Sequence, residues 1–509
     1  MRKRYIEIMD TTLRDGEQTS GVSFSPTEKL TIAQLLLEEV KVDRIEIASA
    51  RVSDGELQAV KKITNWAKKV GLIDKVEVLT FVDGEVSINW MLESGAKTLN
   101  LLTKGSLNHL THQLKKTPET HFKEIAEVIA LATKNDIACN VYLEDWSNGM
   151  KNSPQYVFQY LDFLTQQPIK RVLLPDTLGV LTPIQTYNFL KETIDRYPNT
   201  HFDFHAHNDY DLSIANVMEA LRAGVQGLHL TVNGMGERCG NAPLASAIAV
   251  INDFFPNTHT KVVEKSLYSV SKLVETMSGL RIPANKPVVG ENVFTQTAGI
   301  HADGDNKKNL YFNDLTPERF GRKRKYALGK TSGKANIEKN LEELGIQLSD
   351  ADLKKVTQRV IELGDRKEIV TREDLPYIIS DVIDSSSAIE EKIHIVNYVL
   401  THSKNLKPSA TLQLRIGEEN FEQIAQGDGQ YDAFMNALKS ILHKKHIILP
   451  MLSDYAVRIP PGGNTDALCE TIITWQYNEK EFKTRGLDSD QTVSAIQATQ
   501  KMLNLINVV

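Results

Sequence analysis

Short apolar runs rich in Val, Ile and Leu recur through the first half of the chain, at 5–10, 44–49, 76–82, 98–103, 137–145, 171–176, 201–208 and 227–234. Their length and β-branched content predict eight strands. The intervening segments carry apolar residues at helical spacing and helix punctuation. Ser25-Pro26-Thr27-Glu28 and Thr182-Pro183-Ile184-Gln185 each place a capping hydroxyl, a proline at the first helical position and a Glu or Gln that closes the capping box. After the seventh run, Ile214, Val217, Met218 and Leu221 share one helical face and Gly224 marks the stop. Eight strand-helix units of about 30 residues predict an α/β fold, a (β/α)8 TIM barrel.

Beyond 255 the pattern changes twice. Residues 256–388 read as mostly helical linker subdomains, interrupted by the basic, Gly-punctuated loop "ERFGRKRKYALGKTSGK". A charge run of this kind ordinarily marks a solvated face. Residues 389–509 contain a repeat. "FEQIAQGDGQYDAFMNALKSIL" and "FKTRGLDSDQTVSAIQATQKML" each run strand, turn and amphipathic helix, and two alternating strands precede each copy. Two βββα units predict a C-terminal α+β domain. The expected division is thus a barrel at 1–255, helical linker subdomains at 256–388 and a C-terminal α+β domain at 389–509, which shows no catalytic constellation and so is expected to serve binding or assembly.

Composition narrows the function classes. With 509 residues, 41% hydrophobic, 24% charged and a net charge of -6, nothing indicates nucleic acid or a membrane surface as partner. There is no apolar run of about 18 residues, and "MRKRYIEIMD" leads into a strand rather than a signal-peptide core. Cys139, Cys239 and Cys469 form no CxxC pair, so a reducing, cytoplasmic setting is expected.

In a barrel of this type the chemistry lies at the C-terminal strand ends. Those positions hold Asp10, Arg14 and Asp15, then Glu46, Glu144 with Asp145, Asp176 with Thr177, His205, His207 and Asn208, and finally Asn233, Glu237 and Asn241. The opposite ends show no matching set. In "FDFHAHNDYDL" the two-residue strand period points His205 and His207 the same way. With Asp15 they make a two-His, one-carboxylate set, and Asn241 adds a neutral oxygen. Mixed nitrogen and oxygen ligands of this kind suit Mg, Mn, Zn or Co. Arg14 either stabilises negative charge on a substrate oxygen or pairs with a barrel carboxylate such as Asp10.

"MDTTLRDGEQ", "HAHND" and "NGMGERCGNAPL" resemble the DRE-TIM metallolyase superfamily, specifically its Claisen-condensing acyl-CoA synthases. The C-terminal repeat with "VRIPPGGNTDAL" resembles the regulatory domain of 2-isopropylmalate and citramalate synthases. "EIASARVSDGEL", "NVYLEDWSNG", "LPDTLGVLTP" and "ENVFTQTAGIHADGD" look like the (R)-citramalate synthase branch. The likeness covers essentially the whole chain. It implies a divalent metal at Asp15, His205, His207 and Asn241, Arg14 and Thr177 on a 2-oxo acid, and Glu144 in acid-base chemistry. His301 and Tyr311 match the residues that the family's second domain delivers to the partner subunit's barrel, which implies a homodimer. Metal-dependent hydrolases also use His-x-His, but usually on the first strand rather than the seventh.

The resemblance further implies acetyl-CoA as co-substrate and pyruvate as acceptor, with 2-oxoisovalerate, the 2-isopropylmalate synthase substrate, as the alternative. By position the pocket wall is Leu79, Leu102 and Tyr142, bulky enough to suit a methyl group better than an isopropyl; ordinary barrel core would also supply apolar residues there. Cys239 stands where relatives commonly carry a small residue. For the C-terminal domain the family pattern implies feedback by an amino-acid effector, isoleucine or leucine, at Tyr431, Asp432, Leu452, Tyr455, Ile459 and Gln491.

Overall fold

A computed structural model describes residues 3–298, 310, 313–365, 370–383, 393–458, 469–477 and 480–506. The chain divides into two compact units, Met1–Phe294 with Phe312–Arg324, and Thr295–Tyr311 with Lys325–Val509.

The first unit is built on a closed barrel of eight parallel strands. They are β1 (Glu7–Asp10), β2 (Arg44–Ser49), β3 (Val76–Phe81), β4 (Thr98–Lys104), β5 (Ala138–Glu144), β6 (Arg171–Asp176), β7 (Phe202–Ala206) and β8 (Gly227–Leu230). The first and last are shorter than predicted. Arg4–Tyr5 leaves the first run to pair with Thr258–His259. The eighth run stops at Leu230 because Asn233 adopts a left-handed φ of 59°, which turns the chain out of the strand.

Alternation along the strands separates two environments. Ile8, Ile45, Val78, Leu101, Val141, Leu174, Phe204 and Leu228 belong to the main core. A separate small cluster consists of Met9, Leu79, Tyr142 and Leu173, with Leu102 packed on it. Register explains that grouping: Leu102 is opposite Tyr142, and Tyr142 is opposite Leu173. Burying each such side chain contributes about 1.5–3 kcal/mol.

Both predicted capping boxes are present, on α1 (Pro26–Gln34) and on the helix Pro183–Arg196. The helix Ser213–Ala223 ends at Gly224 as predicted. The basic loop is less solvated than its charge suggests. Arg319 pairs with Glu264 at 2.6 Å and Asp253 at 2.7 Å, and Arg322 stacks on Tyr268 and Phe294 while donating to the carbonyls of Val288, Gly290 and Glu291.

In the second unit the helices Lys334–Leu344, Asp350–Asp365 and Leu375–Ile383 supply one apolar cluster around Ile337, Val356 and Leu375. Two βββα units follow. The first is Ile393–Ser403, Leu406–Ile416 and Glu419–Gln426 with the helix Gln430–Lys444; the second is Met451–Arg458, Cys469–Tyr477 and Lys480–Asp488 with the helix Gln491–Leu505. Each three-stranded sheet is antiparallel, and the units share one core that includes Leu412, Phe434, Leu438, Trp475 and Met502. Among the described residues no helix is long and apolar enough to cross a membrane.

Candidate active site

The loop after β1 is wound tightly on one carbonyl. Thr11 O accepts from the amides of Arg14, Asp15 and Gly16 at 2.9 to 3.1 Å. A fully buried lysine on α1 fixes its outer side: Lys29 Nζ donates to Leu13 O at 3.1 Å and Ile47 O at 3.2 Å. It also pairs with Glu17 and Glu56, each at 2.6 Å. Such a buried cation persists only because every donor has a partner. The result is a rigid turn that presents Arg14 and Asp15.

Opposite, β7 carries His205, and His207 follows at its end in a bridge with Asn241. Ala242 N donates to Ala206 O at 3.0 Å, which ties the Gly-rich loop to that strand. His205 Nε2 lies 3.1 Å, and His207 Nε2 3.8 Å, from Asp15 Oδ2. One ligand atom from each of the three residues lies within 4.8 Å of the others, and all three are buried. Asn241 Nδ2 donates to Met235 O at 3.0 Å, whereas its Oδ1 has no hydrogen-bond partner; nor do the Nδ1 atoms of His205 and His207.

Buried acceptors without donors are what a cation requires. The donor set, two imidazoles, a carboxylate and an amide oxygen, fits a divalent metal. Burial alone would raise the Asp15 pKa, but Arg14, then His205 and His207, hold the carboxyl well below the usual range. Burial, reinforced by His205, pushes the His207 imidazole down to about 4. Both groups are therefore in their ligating forms near neutral pH.

Arg14 is oriented from two sides. Its Nε donates to Glu46 Oε2 at 2.5 Å, and Nη1 lies 3.6 Å from Asp15 Oδ2. Glu46 in turn accepts from Asn100 Nδ2 at 2.7 Å. The expected alternative partner, Asp10, instead accepts from Thr12 N at 2.9 Å. Tyr142 abuts both halves of the site: its hydroxyl is 3.5 Å from Arg14 Nη2, and its ring meets that of His205 edge-on at 6.3 Å. The Tyr142 hydroxyl also lies 2.9 Å from His229 Nδ1. Burial pushes the His229 imidazole down to about 3 despite Asp203 beside it.

Glu144, at the end of β5, is paired with Lys104 of β4. Thr177 Oγ1 accepts from Asp145 N at 2.9 Å, which leaves its own hydrogen to donate elsewhere. Cys239 is exposed and lines a cavity of about 290 Å³ with Thr19, Asn233 and Lys286. It is not part of the metal-capable cluster found among the described residues. His301 and Tyr311 lie outside the described residues, as does Ile459.

Of the remaining effector candidates, Tyr431 and Tyr455 come together with ring centroids 5.6 Å apart. Tyr431 also bonds to Thr499 at 2.7 Å, and the Tyr455 hydroxyl interacts with the Gln491 side chain. Asp432 instead accepts from Asp428 N at 2.8 Å, within its own turn, and Leu452 is exposed.

Sequence reasoning missed that Met9 and Leu173 pack with Leu79, Leu102 and Tyr142 in one buried cluster, although both share the strand alternation of Leu79 and Tyr142. It also missed Lys29, Lys104 and the buried polar groups beneath the wall. The signal was available as charge inside apolar runs: Arg44, Glu77 and Asp203 are all buried within strands.

Residues 5–274 match the HMGL-like family model, 288–368 the homocitrate synthase post-HMGL domain-like model and 369–507 the LeuA allosteric (dimerisation) domain model. An (R)-citramalate synthase of Methanocaldococcus jannaschii is 32% identical over 98% of this chain and 99% of its own length. The chain belongs to the citramalate and 2-isopropylmalate synthase family. It is an enzyme of that acyltransferase family, since the 2-isopropylmalate synthase of the same organism is also similar, at 30% identity over 98% of this chain and 94% of its own length. A hydroxymethylglutaryl-CoA lyase structure from Pseudomonas aeruginosa is similar to 55% of the chain and 94% of its own, at 18% identity and a TM-score of 0.44.

Proposed function

We propose that this chain is an (R)-citramalate synthase, which condenses acetyl-CoA with pyruvate and hydrolyses the resulting thioester. Overall identity separates the two activities named among its relatives poorly, at 32% against 30%. The observation that carries the choice is the wall of Met9, Leu79, Leu102, Tyr142 and Leu173, packed as one cluster whose Tyr142 touches Arg14 and faces His205. A phenol there leaves room for a methyl substituent and crowds an isopropyl. Discrimination by such a wall is about 1–3 kcal/mol per methylene.

Asp15, His205, His207 and Asn241 would hold a divalent cation, Mg, Mn, Zn or Co, which when bound polarises the keto carbonyl as a Lewis acid. Arg14, held rigid by Glu46, stabilises the negative charge that develops on the keto oxygen as the new carbon-carbon bond forms. Thr177 donates its hydroxyl hydrogen to the keto acid's carboxylate. Glu144, kept beside Lys104, is the base for the acetyl methyl proton; the alternative is the His301 and Tyr311 pair, which the family's second domain delivers to the barrel of the partner subunit. Water then cleaves the thioester.

We read 1–255 as the catalytic barrel, 256–388 as the linker and 389–509 as a domain for homodimerisation and feedback, in a cytoplasmic enzyme. Isoleucine is the effector expected of a citramalate synthase, and the paired Tyr431 and Tyr455 rings with Gln491 are its candidate contacts. The test is release of free CoA from acetyl-CoA by the metal-loaded enzyme, with pyruvate and with 2-oxoisovalerate in turn. Faster release with pyruvate supports the reading; a clear preference for 2-oxoisovalerate makes the enzyme a 2-isopropylmalate synthase.

A further inference from the structure

Tyr142 is the end of a buried hydrogen-bond chain that neither the metal site nor the acid-base chemistry uses. The chain begins at Asp203, which is fully buried on β7. Its carboxylate receives Arg44 Nη2 at 2.5 Å, His201 Nε2 at 2.9 Å and His229 Nε2 at 3.0 Å. A carboxylate in that position only accepts, so His229 Nε2 carries the hydrogen. In the neutral ring Nδ1 is then a lone pair, and it lies 2.9 Å from the Tyr142 hydroxyl. The phenol must donate into the imidazole. Its oxygen is left with lone pairs only, one of them toward Arg14 Nη2 at 3.5 Å.

The direction of every bond in this chain is therefore fixed, and so is the tilt of the phenol ring. His229 meets Tyr142 edge-on at 5.5 Å and 81°. We propose that His229, backed by Asp203 and Arg44, is the specificity-determining positioning residue of the keto-acid pocket: by accepting the Tyr142 hydroxyl hydrogen it locks the ring as the wall that limits the keto acid's side chain to a methyl. The proposal rests on the pocket reading given above. Removing the imidazole leaves a buried hydroxyl without an acceptor and a void behind the ring. The ring then moves back, and the pocket admits larger keto acids.

The experiment compares kcat/KM for pyruvate, 2-oxobutanoate and 2-oxoisovalerate in the metal-loaded wild type, His229→Ala and His229→Asn, with folding checked by circular dichroism. Asn offers an oxygen near the position of Nδ1 and so keeps the acceptor. In His229→Ala the preference for pyruvate over 2-oxobutanoate should fall by about tenfold, the scale of one methylene, and His229→Asn should restore most of it. A merely structural histidine would lower all three substrates together. If His229→Ala does not fold, Tyr142→Phe carries the test, since it removes the donor but keeps the ring, and its preference must fall in the same direction. A wild type that prefers pyruvate, with variants that keep its preference ratio, overturns the proposal alone. A wild type that prefers 2-oxoisovalerate overturns the pocket reading and the proposal with it.

Discussion

Arg14 Nε donates to Glu46 Oε2 at 2.5 Å while the same guanidinium lies 3.6 Å from Asp15. Glu46 is therefore what aims the cation. Glu46→Gln should lower kcat/KM by about 10²-fold, the usual cost of a misplaced catalytic group, with metal content unchanged. Steady-state kinetics alongside elemental analysis check both halves.

The metal centre predicts a separate outcome. His207→Ala removes one of the three buried candidate ligands whose ligand atoms lie within 4.8 Å of one another. Its metal affinity should fall at least as far as the roughly 10–100-fold that losing a supporting group costs. Inductively coupled plasma analysis after dialysis reads this directly. Chelation of the wild type should abolish CoA release, and adding back a divalent cation should restore it.

Lys29 holds the Arg14–Asp15 turn from below through two carbonyls and two carboxylates. Lys29→Met leaves Glu17 and Glu56 together without their cation. The cost should be about 3–5 kcal/mol of stability, measured as a shift in the urea midpoint at constant slope.

Acid should weaken the barrel through His121. This imidazole is fully buried, accepts from Lys104 N at 3.3 Å, and is pushed by burial from 6.5 down to about 4. Its folded-state pKa lies below the unfolded one, so the unfolded chain binds the proton first as pH falls. The stability contribution is complete above about pH 6.5, is lost as pH falls toward about 4, and changes no further below that. Urea midpoints between pH 7 and 4 should fall less steeply in His121→Gln than in the wild type.

Much of this site was legible in the chain before any fold was known. The period of two put His205 and His207 on one face, and the rule for barrel strand ends grouped them with Asp15 and Asn241. The apolar cluster around Tyr142 was half legible. Leu79, Leu102 and Tyr142 stood out, whereas Met9 and Leu173 share the same alternation but are separated from them by whole helices, and only strand register makes them neighbours. Lys29 was invisible because a lysine on a helix reads as solvent-facing, and only the tertiary fold supplies its four partners. The basic loop was legible in part: Lys323, Lys325, Lys330 and Lys334 are exposed as a solvated face requires, whereas Arg319 and Arg322 find carboxylates, carbonyls and aromatic rings distant in sequence.

Selection of pyruvate by the Tyr142 wall is read out by direct competition. Metal-loaded enzyme is given acetyl-CoA with equal concentrations of pyruvate and 2-oxoisovalerate, and the two products are measured by mass spectrometry. Citramalate should be in excess by about tenfold or more, as two extra methyl groups against a packed wall require. Isopropylmalate as the main product would contradict that selection.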